Sequence, residues 1–265
     1  MKSFAGKTAA VTGAGSGIGR ALSIELARQG CQLALCDINT EGLNETYQRA
    51  SAFGVKVTKA KVDVAKRAAI YGWADRVAKE FGGVNLVFNN AGVALGSTVA
   101  GMSDEDFEWI MDINFWGVVH GTRAFLPYLK ASGDGHVINI SSVFGIAAIP
   151  SQSAYNASKF AVRGFTEALR QELELAGDQV GATSVHPGGI KTNIARDARF
   201  GAEMEAMFKK SPATSKAQFE RLFSTTPETA ANVILNAVKK NKRRVLIGAD
   251  AHVIDLTVRL LPTLY

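Results

Sequence analysis

Thr12-Gly13-Ala14-Gly15-Ser16-Gly17-Ile18-Gly19 is the stretch on which the fold is decided. It follows the apolar, strand-like run Thr8-Ala9-Ala10-Val11 and leads into residues 20–29, where Ala21, Leu22, Leu26 and Ala27 return with helical spacing. Glycines at a strand-to-helix junction let the backbone turn sharply and approach a pyrophosphate, while the helix N-terminus offers free N–H groups and positive potential. The spacing is Gly13-x-x-x-Gly17-x-Gly19, and Ile18 stands at the sixth position of the usual G-x-G-x-x-G dinucleotide fingerprint. A glycine-rich turn is weak evidence alone, so its meaning depends on what surrounds it.

Outward from this turn, short apolar runs alternate with longer amphipathic stretches. Strands are expected near residues 7–12, 32–37, 56–62, 84–89, 136–141, 180–186 and 245–248, and helices near 17–29, 40–53, 66–81, 104–131, 153–176 and 228–239. This alternation predicts an α/β fold, a doubly wound parallel sheet of about seven strands with helices on both faces. Leu86-Val87-Phe88 and Val137-Ile138-Asn139-Ile140 are apolar at nearly every position, as strands covered on both sides should be. No linker or repeat divides the chain, so residues 1–265 read as one domain. The stretch 190–226 departs from the alternation: Ile194, Phe200, Met204, Met207, Phe208, Phe219, Leu222 and Phe223 are scattered among Lys, Arg, Ser and Thr. An excursion of this length is expected to be a substrate lid, the alternative being a surface helical hairpin.

Composition narrows the class. With 47% hydrophobic and 20% charged residues, the chain is not a disordered one. Two cysteines cannot build a disulfide framework, which points to a reducing, cytoplasmic setting. No apolar run reaches the roughly 18 residues of a membrane span, and the immediate strand after Met1-Lys2-Ser3-Phe4 is read as leaving no room for a signal peptide. The net charge of +6 is spread along the chain except at 239–244, Lys-Lys-Asn-Lys-Arg-Arg. The ordinary reading there is a solvated helix end, with membrane-surface contact as the alternative. No aromatic residues interleave with these charges, which argues against nucleic acid.

Further motifs give the glycine turn its meaning. Asn89-Asn90-Ala91-Gly92, Asn114, Ser142, Tyr155-x-x-x-Lys159 and Pro187-Gly188 follow it in order, with twelve residues between Ser142 and Tyr155. Together with Thr12 to Gly19 these motifs resemble the single-domain short-chain dehydrogenase/reductase family over residues 5 to 192. The resemblance implies a Rossmann-type fold, a nicotinamide cofactor and a homo-oligomer, tetramer or dimer, built on the helices at 104–131 and 153–176, where Trp109, Phe115, Phe160 and Phe165 are candidates for apolar interface area and equally for the core.

The cofactor is read as NAD. Asp37 closes the second strand 20 positions beyond Gly17, where a carboxylate accepts hydrogen bonds from the ribose 2′- and 3′-hydroxyls and repels a 2′-phosphate. Ile38 follows it and Ser16 sits in the loop, neither being the Arg or Lys that NADP-binding relatives offer, and Arg20 is expected to face solvent or pair locally. The resemblance adds Asp63 and Val64 at the adenine, Asn89, Asn90, Ala91 and Gly92 lining the cofactor and holding the sheet, and Ile190 and Thr192, after Pro187-Gly188, at the nicotinamide carboxamide. With Gly13, Ser16, Gly17, Ile18 and Gly19 these form the expected cofactor set.

Tyr155 and Lys159, four apart on a helix, present phenol and ammonium to one cleft. The family implies that Tyr155 is the general acid/base, that Lys159 lowers its pKa and holds the nicotinamide ribose, that Ser142 bonds the substrate oxygen and that Asn114 anchors a proton-carrying water. His120, His136, His186 and His252 show no metal-ligand spacing and are read as packing or surface residues, and Cys31 and Cys36 as buried thiols. The loops carrying Val93, Ala94, Leu95, Val143, Phe144, Gly145, Ile146 and Ile149, with Gln152 at the edge, predict an apolar secondary alcohol or ketone as substrate. If those residues pack on one another, a small diketone or acetoin-type substrate is the alternative. The other classes weighed are a non-catalytic NAD-binding protein and a lyase or dehalogenase on the same fold; the complete glycine turn and the intact Asn114, Ser142, Tyr155 and Lys159 argue against both. The apolar tail, Ala251 to Tyr265, is expected at a subunit interface or over the active site, with membrane contact as the alternative.

Overall fold

The computed structural model describes residues 1–201, 203–204 and 224–263. Its strands are β1 (Thr8–Thr12), β2 (Gln32–Asp37), β3 (Val57–Lys61), β4 (Leu86–Asn89), β5 (Leu95–Gly96), β6 (Gly135–Ile140), β7 (Val180–Pro187), β8 (Arg199–Phe200) and β9 (Arg244–Ile247). The helices are α1 (Gly17–Arg28), α2 (Thr40–Ser51), α3 (Arg67–Phe81), α4 (Asp104–Met111), α5 (Gly117–Ala131), α6 (Ser153–Leu175), α7 (Pro227–Lys239) and α8 (Ala249–Leu260). Seven strands form one sheet in the order β3-β2-β1-β4-β6-β7-β9, each pair parallel, and β5 and β8 pair separately. The expected Rossmann-type α/β fold is what forms.

Side chains two apart on a strand share a face, and that period sorts the core into two layers. Ala9 and Val11 of β1 join Leu22 and Leu26 of α1 and Ile234 and Leu235 of α7. Ala10 faces the other way, into the layer of Trp73 from α3, Phe125 from α5 and Leu169 from α6. Trp73 and Phe125 meet edge to face at 5.2 Å; truncating Phe125, which is wholly buried, costs about 3–5 kcal/mol. Strand order reverses between β1 and β4, and the crevice beyond their C-terminal ends is where such sheets bind ligands.

One expectation changes. The helix expected over 104–131 divides into α4 and α5 around a π-helical turn, Asp112–Trp116. That wider turn carries Asn114, fully buried, to Val93 and Ser158, and Gly117 beyond it packs where a Cβ would lie 2.9 Å from Val64 Cγ2. The stretch 190–226 closes on itself at the neck: Lys191 N–H donates to Thr225 O (2.9 Å) and Thr225 N–H to Gly189 O (3.3 Å). From there β8 returns across β5, and Met207, Phe208, Phe219, Leu222 and Phe223 lie outside the described residues. The tail forms α8. Val253, Leu256, Leu260 and Leu261 are exposed, and Ala251 is the helix residue that is buried.

The basic run behaves as a helix end. Lys239 donates to Gln29 and lies over the Phe4 ring, Arg243 pairs with Glu174, and Arg244 pairs with Asp255. No helix among the described residues is long and apolar enough to cross a membrane.

Candidate active site

The cofactor cradle is built from backbone. Gly13 (φ 63°) and Gly17 (φ 50°) adopt the left-handed conformation that side chains disfavour. A Cβ on Gly13 would lie 2.7 Å from Ala91 Cα, and one on Gly19 would overlap the Gly13 carbonyl. Asn90 fixes the turn from the next strand, its Nδ2 donating to Thr12 O (3.0 Å) and Gly13 O (3.1 Å). Thr12 Oγ1 accepts in return from the N–H groups of Asn90 and Ala91, both at 3.0 Å. Helix α1 begins at Gly17 with no side-chain cap from Ser16 and no acidic residue in its first turn, so its N–H groups remain open to an anion. Ser16, Gly17, Arg20, Lys191, Thr192 and Asn193 line part of a cleft of about 330 Å³ beside them.

Asp37 stands at the end of β2 as expected. Its Oδ2 accepts from Gly15 N (2.7 Å) and its Oδ1 from Asn39 N (2.8 Å), so the carboxylate is held with lone pairs still open. Arg20 pairs locally: its guanidinium bridges to Glu45 (2.7 Å) and donates to Gly15 O and Thr46 Oγ1. Ile38 is exposed. A glycine cradle, an uncapped helix start and a held carboxylate fit a dinucleotide.

Other members of the cofactor set behave less uniformly. Asp63 Oδ1 accepts from Ala65 N (3.0 Å), and the side chain of Val64 is buried against Gly117. Asn89 holds the sheet, its Nδ2 donating to Thr122 Oγ1 and to Asn139 Oδ1 on β6. Gly92 lies between Asn114 and Lys159, where a Cβ would be 3.1 Å from Asn114 Oδ1 and 3.4 Å from Lys159 Nζ. Beyond β7, Pro187-Gly188 turns the chain, Ile190 is buried, and the Thr192 methyl would lie 3.0 Å from a Cβ on Gly17.

At the same strand edge the residues expected to be catalytic come together. Ser142 follows β6, Tyr155 and Lys159 lie in the first two turns of α6, and all three are buried. Ser142 Oγ accepts from Phe144 N (3.1 Å) and hydrogen-bonds Tyr155. Lys159 Nζ donates to Ile140 O (3.1 Å) and lies 5.6 Å from the centre of the Tyr155 ring. Burial pushes the Tyr155 phenol up to about 12, against which the Ser142 bond acts, and burial lowers Lys159 to about 8. The two influences on Tyr155 within the chain are thus burial, which raises it, and the Ser142 bond, which lowers it. Asn114 Nδ2 donates to Val93 O (2.9 Å) and Ser158 Oγ (3.2 Å), and its Oδ1 accepts from Val93 N (2.8 Å).

On the substrate side, Leu95, Val143, Gly145 and Ile146 are packed inward, and Val93, Ala94, Phe144 and Ile149 are half-buried, the first three packed against Leu95 and Tyr155. The bridge between Ser97 and Gln152 ties the loops after β4 and β6 together. Three residues beyond the expected set shape this region. Glu203 accepts from Ser97 Oγ (2.5 Å) and Thr98 N (2.9 Å), docking the start of the 190–226 excursion on the loop after β4. Asp250 Oδ2 accepts from Gly189 N (2.6 Å), and Gly188 has no Cβ to collide with that carboxylate. His186 Nδ1 lies 3.0 Å from Ser142 O. Each pairing joins residues at least 44 apart, so spacing carries no signal for it; only His186, next to Pro187-Gly188, lies near a motif. The four histidines form no metal-binding group with other side chains among the described residues. Cys31 and Cys36 are buried free thiols, and burial pushes Cys31 up to about 12.

Comparison with known proteins places these features. The short chain dehydrogenase profile matches residues 7–202. SadH of Mycobacterium tuberculosis is 49% identical over 268 residues, covering 100% of this chain and 94% of that protein. Estradiol 17-beta-dehydrogenase 11 of Macaca fascicularis is 32% identical over 264 residues, covering 98% of this chain and 81% of that protein. A short chain dehydrogenase/reductase of Burkholderia phymatum, solved in complex with NAD, superposes with a TM-score of 0.87 at 33% identity, over 98% of this chain and 94% of that one.

Proposed function

This chain belongs to the short-chain dehydrogenase family, and from that premise we propose that it is an NAD-dependent oxidoreductase interconverting an apolar secondary alcohol and its ketone. The observation that carries the reading is the convergence of Ser142, Tyr155 and Lys159 on the strand edge that also bears the glycine cradle. When bound, the nicotinamide supplies or accepts the hydride. The protein's part is to hold the substrate oxygen and move its proton.

Tyr155 exchanges the proton of the substrate hydroxyl. Ser142 Oγ already accepts from Phe144 N, so its own hydrogen is the group it turns toward Tyr155 or the substrate oxygen. Lys159 gives one N–H to Ile140 O and keeps two for a ribose. Asn114 uses both side-chain N–H groups inside the protein, so a proton-carrying water there relies on its acceptor atoms. Ser16, Gly17, Ile18 and Gly19 hold the pyrophosphate end, Thr192 the nicotinamide end, and Asp37 selects the unphosphorylated ribose, because its charge is anchored while the Arg20 guanidinium is committed to Glu45.

The half-buried apolar side chains at the cleft, and a relative named as a steroid dehydrogenase, support an apolar substrate. The inward packing of Leu95, Val143 and Ile146 favours a second reading, a narrower site for small diketones or acetoin-type diols. The exposed Phe107, Trp116 and Phe160 on α4 to α6, and the apolar outer face of α8, support a homo-oligomer, which light scattering tests directly. Buried free thiols suit the proposed cytoplasmic location. The assay is absorbance at 340 nm with NAD and NADP in parallel, over secondary alcohols graded from acetoin-like diols to steroids. Turnover rising with apolar size and confined to NAD supports the first reading; turnover of small diols alone supports the second; preference for NADP removes the role given to Asp37.

A further inference from the structure

His186 is fully buried at the end of β7, facing the point where β6 leaves the sheet. The regular ladder between β6 and β7 ends near Ile140 and Val185, with Ser141 N–H still donating to Val185 O (2.8 Å). One residue further the strands part, and the His186 ring takes over: Nδ1 lies 3.0 Å from Ser142 O, and Nε2 lies 2.9 Å from Ser184 Oγ. A carbonyl only accepts, so Nδ1 carries the hydrogen. The neutral ring then accepts at Nε2 from the Ser184 hydroxyl, which fixes the tautomer. Ser142 O also accepts from Gly145 N (3.0 Å), so both its lone pairs are engaged, one by its own turn and one by the neighbouring strand.

We infer that His186 is a positioning residue for Ser142, its Nδ1–H tying the Ser142 carbonyl to β7 and fixing the backbone from which the Ser142 hydroxyl reaches the substrate oxygen. The inference rests on the dehydrogenase reading above. It deepens that reading, since Gly145 N and Phe144 N anchor Ser142 only within its own turn, whereas His186 ties that turn to the sheet. Burial lowers the His186 imidazole to about 4, which keeps it neutral, as this bond pattern requires.

Two amide variants of the full-length protein separate the bonds. Asparagine carries Nδ2 where histidine carries Nδ1, so His186→Asn keeps a donor for Ser142 O; glutamine matches only the Nε2 position, so His186→Gln loses it. With NAD and the best secondary alcohol, His186→Gln should lower kcat about tenfold with NADH affinity and KM unchanged, and His186→Asn should stay within about threefold of the parent. An undiminished kcat in His186→Gln, or equal loss in both variants, overturns the assignment. Nitrogen-15 NMR of the unaltered protein provides an arm independent of turnover. A hydrogen on Nδ1 supports the assignment, and a hydrogen on Nε2 overturns it, including where a variant fails to fold. If the unaltered protein oxidises no alcohol, the dehydrogenase reading falls, and the tautomer still decides whether the His186–Ser142 bond exists.

Discussion

The two halves of the strand edge are built differently. On the dinucleotide side, Gly13 and Gly19 let backbone meet backbone, Gly17 makes room for the Thr192 methyl, and the fixing bonds from Asn90 and Thr12 run to main-chain atoms. On the catalytic side, side chains do the holding: Asn114 on Val93 and Ser158, Ser142 on Tyr155, and His186 on Ser142. The first construction tolerates no added atoms. The second tolerates volume but not a change of hydrogen-bonding group, and the two should fail in different measurements.

The largest effect is expected on the catalytic side. Tyr155→Phe removes the proton carrier and should lower kcat about a thousandfold while NADH affinity stays within about twofold, as steady-state kinetics and fluorescence titration will read. A loss of binding equal to the loss of turnover would erase the distinction between the halves. Next, Gly13→Ala places a side chain at φ 63° and within 2.7 Å of Ala91 Cα. It should weaken NADH binding about a hundredfold and cost about 2–3 kcal/mol of stability in urea titration.

Acid should loosen the side-chain-built half. The folded His186 pKa, about 4, lies below the ordinary value of 6.5, so between these values the unfolded chain binds more protons and stability falls as pH falls. The contribution is complete above about pH 6.5 and is lost progressively toward about pH 4, at roughly 1 kcal/mol per pH unit. Denaturant titrations at pH 6.5 and 5.5 should show that loss in the parent and a smaller one in His186→Asn. The smallest effect belongs to Asp37→Ser, which removes charge without adding volume. The ratio of kcat/KM for NAD over NADP should drop about tenfold; an unchanged ratio would detach cofactor choice from this carboxylate.

The same contrast explains what could be read from sequence. The central sheet was legible because buried parallel strands must be apolar on both faces, and all seven strands lie within two residues of their expected bounds. The cradle was legible because glycine marks places where a side chain cannot go, and Tyr155 with Lys159 because both lie on one helix. Less was legible where the holding groups are distant in sequence. Glu203 on Ser97, Asp250 on Gly189 and His186 on Ser142 follow from the packing of elements, and no spacing announces them. The π turn at Asp112–Trp116 was hidden for a related reason, since an uninterrupted amphipathic pattern runs through it and only the need to bury Asn114 distinguishes it. For Asn89, the sheet-holding role is the one that its side-chain bonds fill.

The central claim is that one edge of the sheet binds a nicotinamide dinucleotide through backbone and moves the substrate proton through Tyr155. The most direct test follows absorbance at 340 nm for the parent and Tyr155→Phe, each with NAD and graded secondary alcohols, while NADH binding is titrated in the same preparations. The account predicts that both proteins bind NADH and only the parent reduces NAD. Turnover by Tyr155→Phe near the parent's rate, or a parent that binds no NADH, would contradict it.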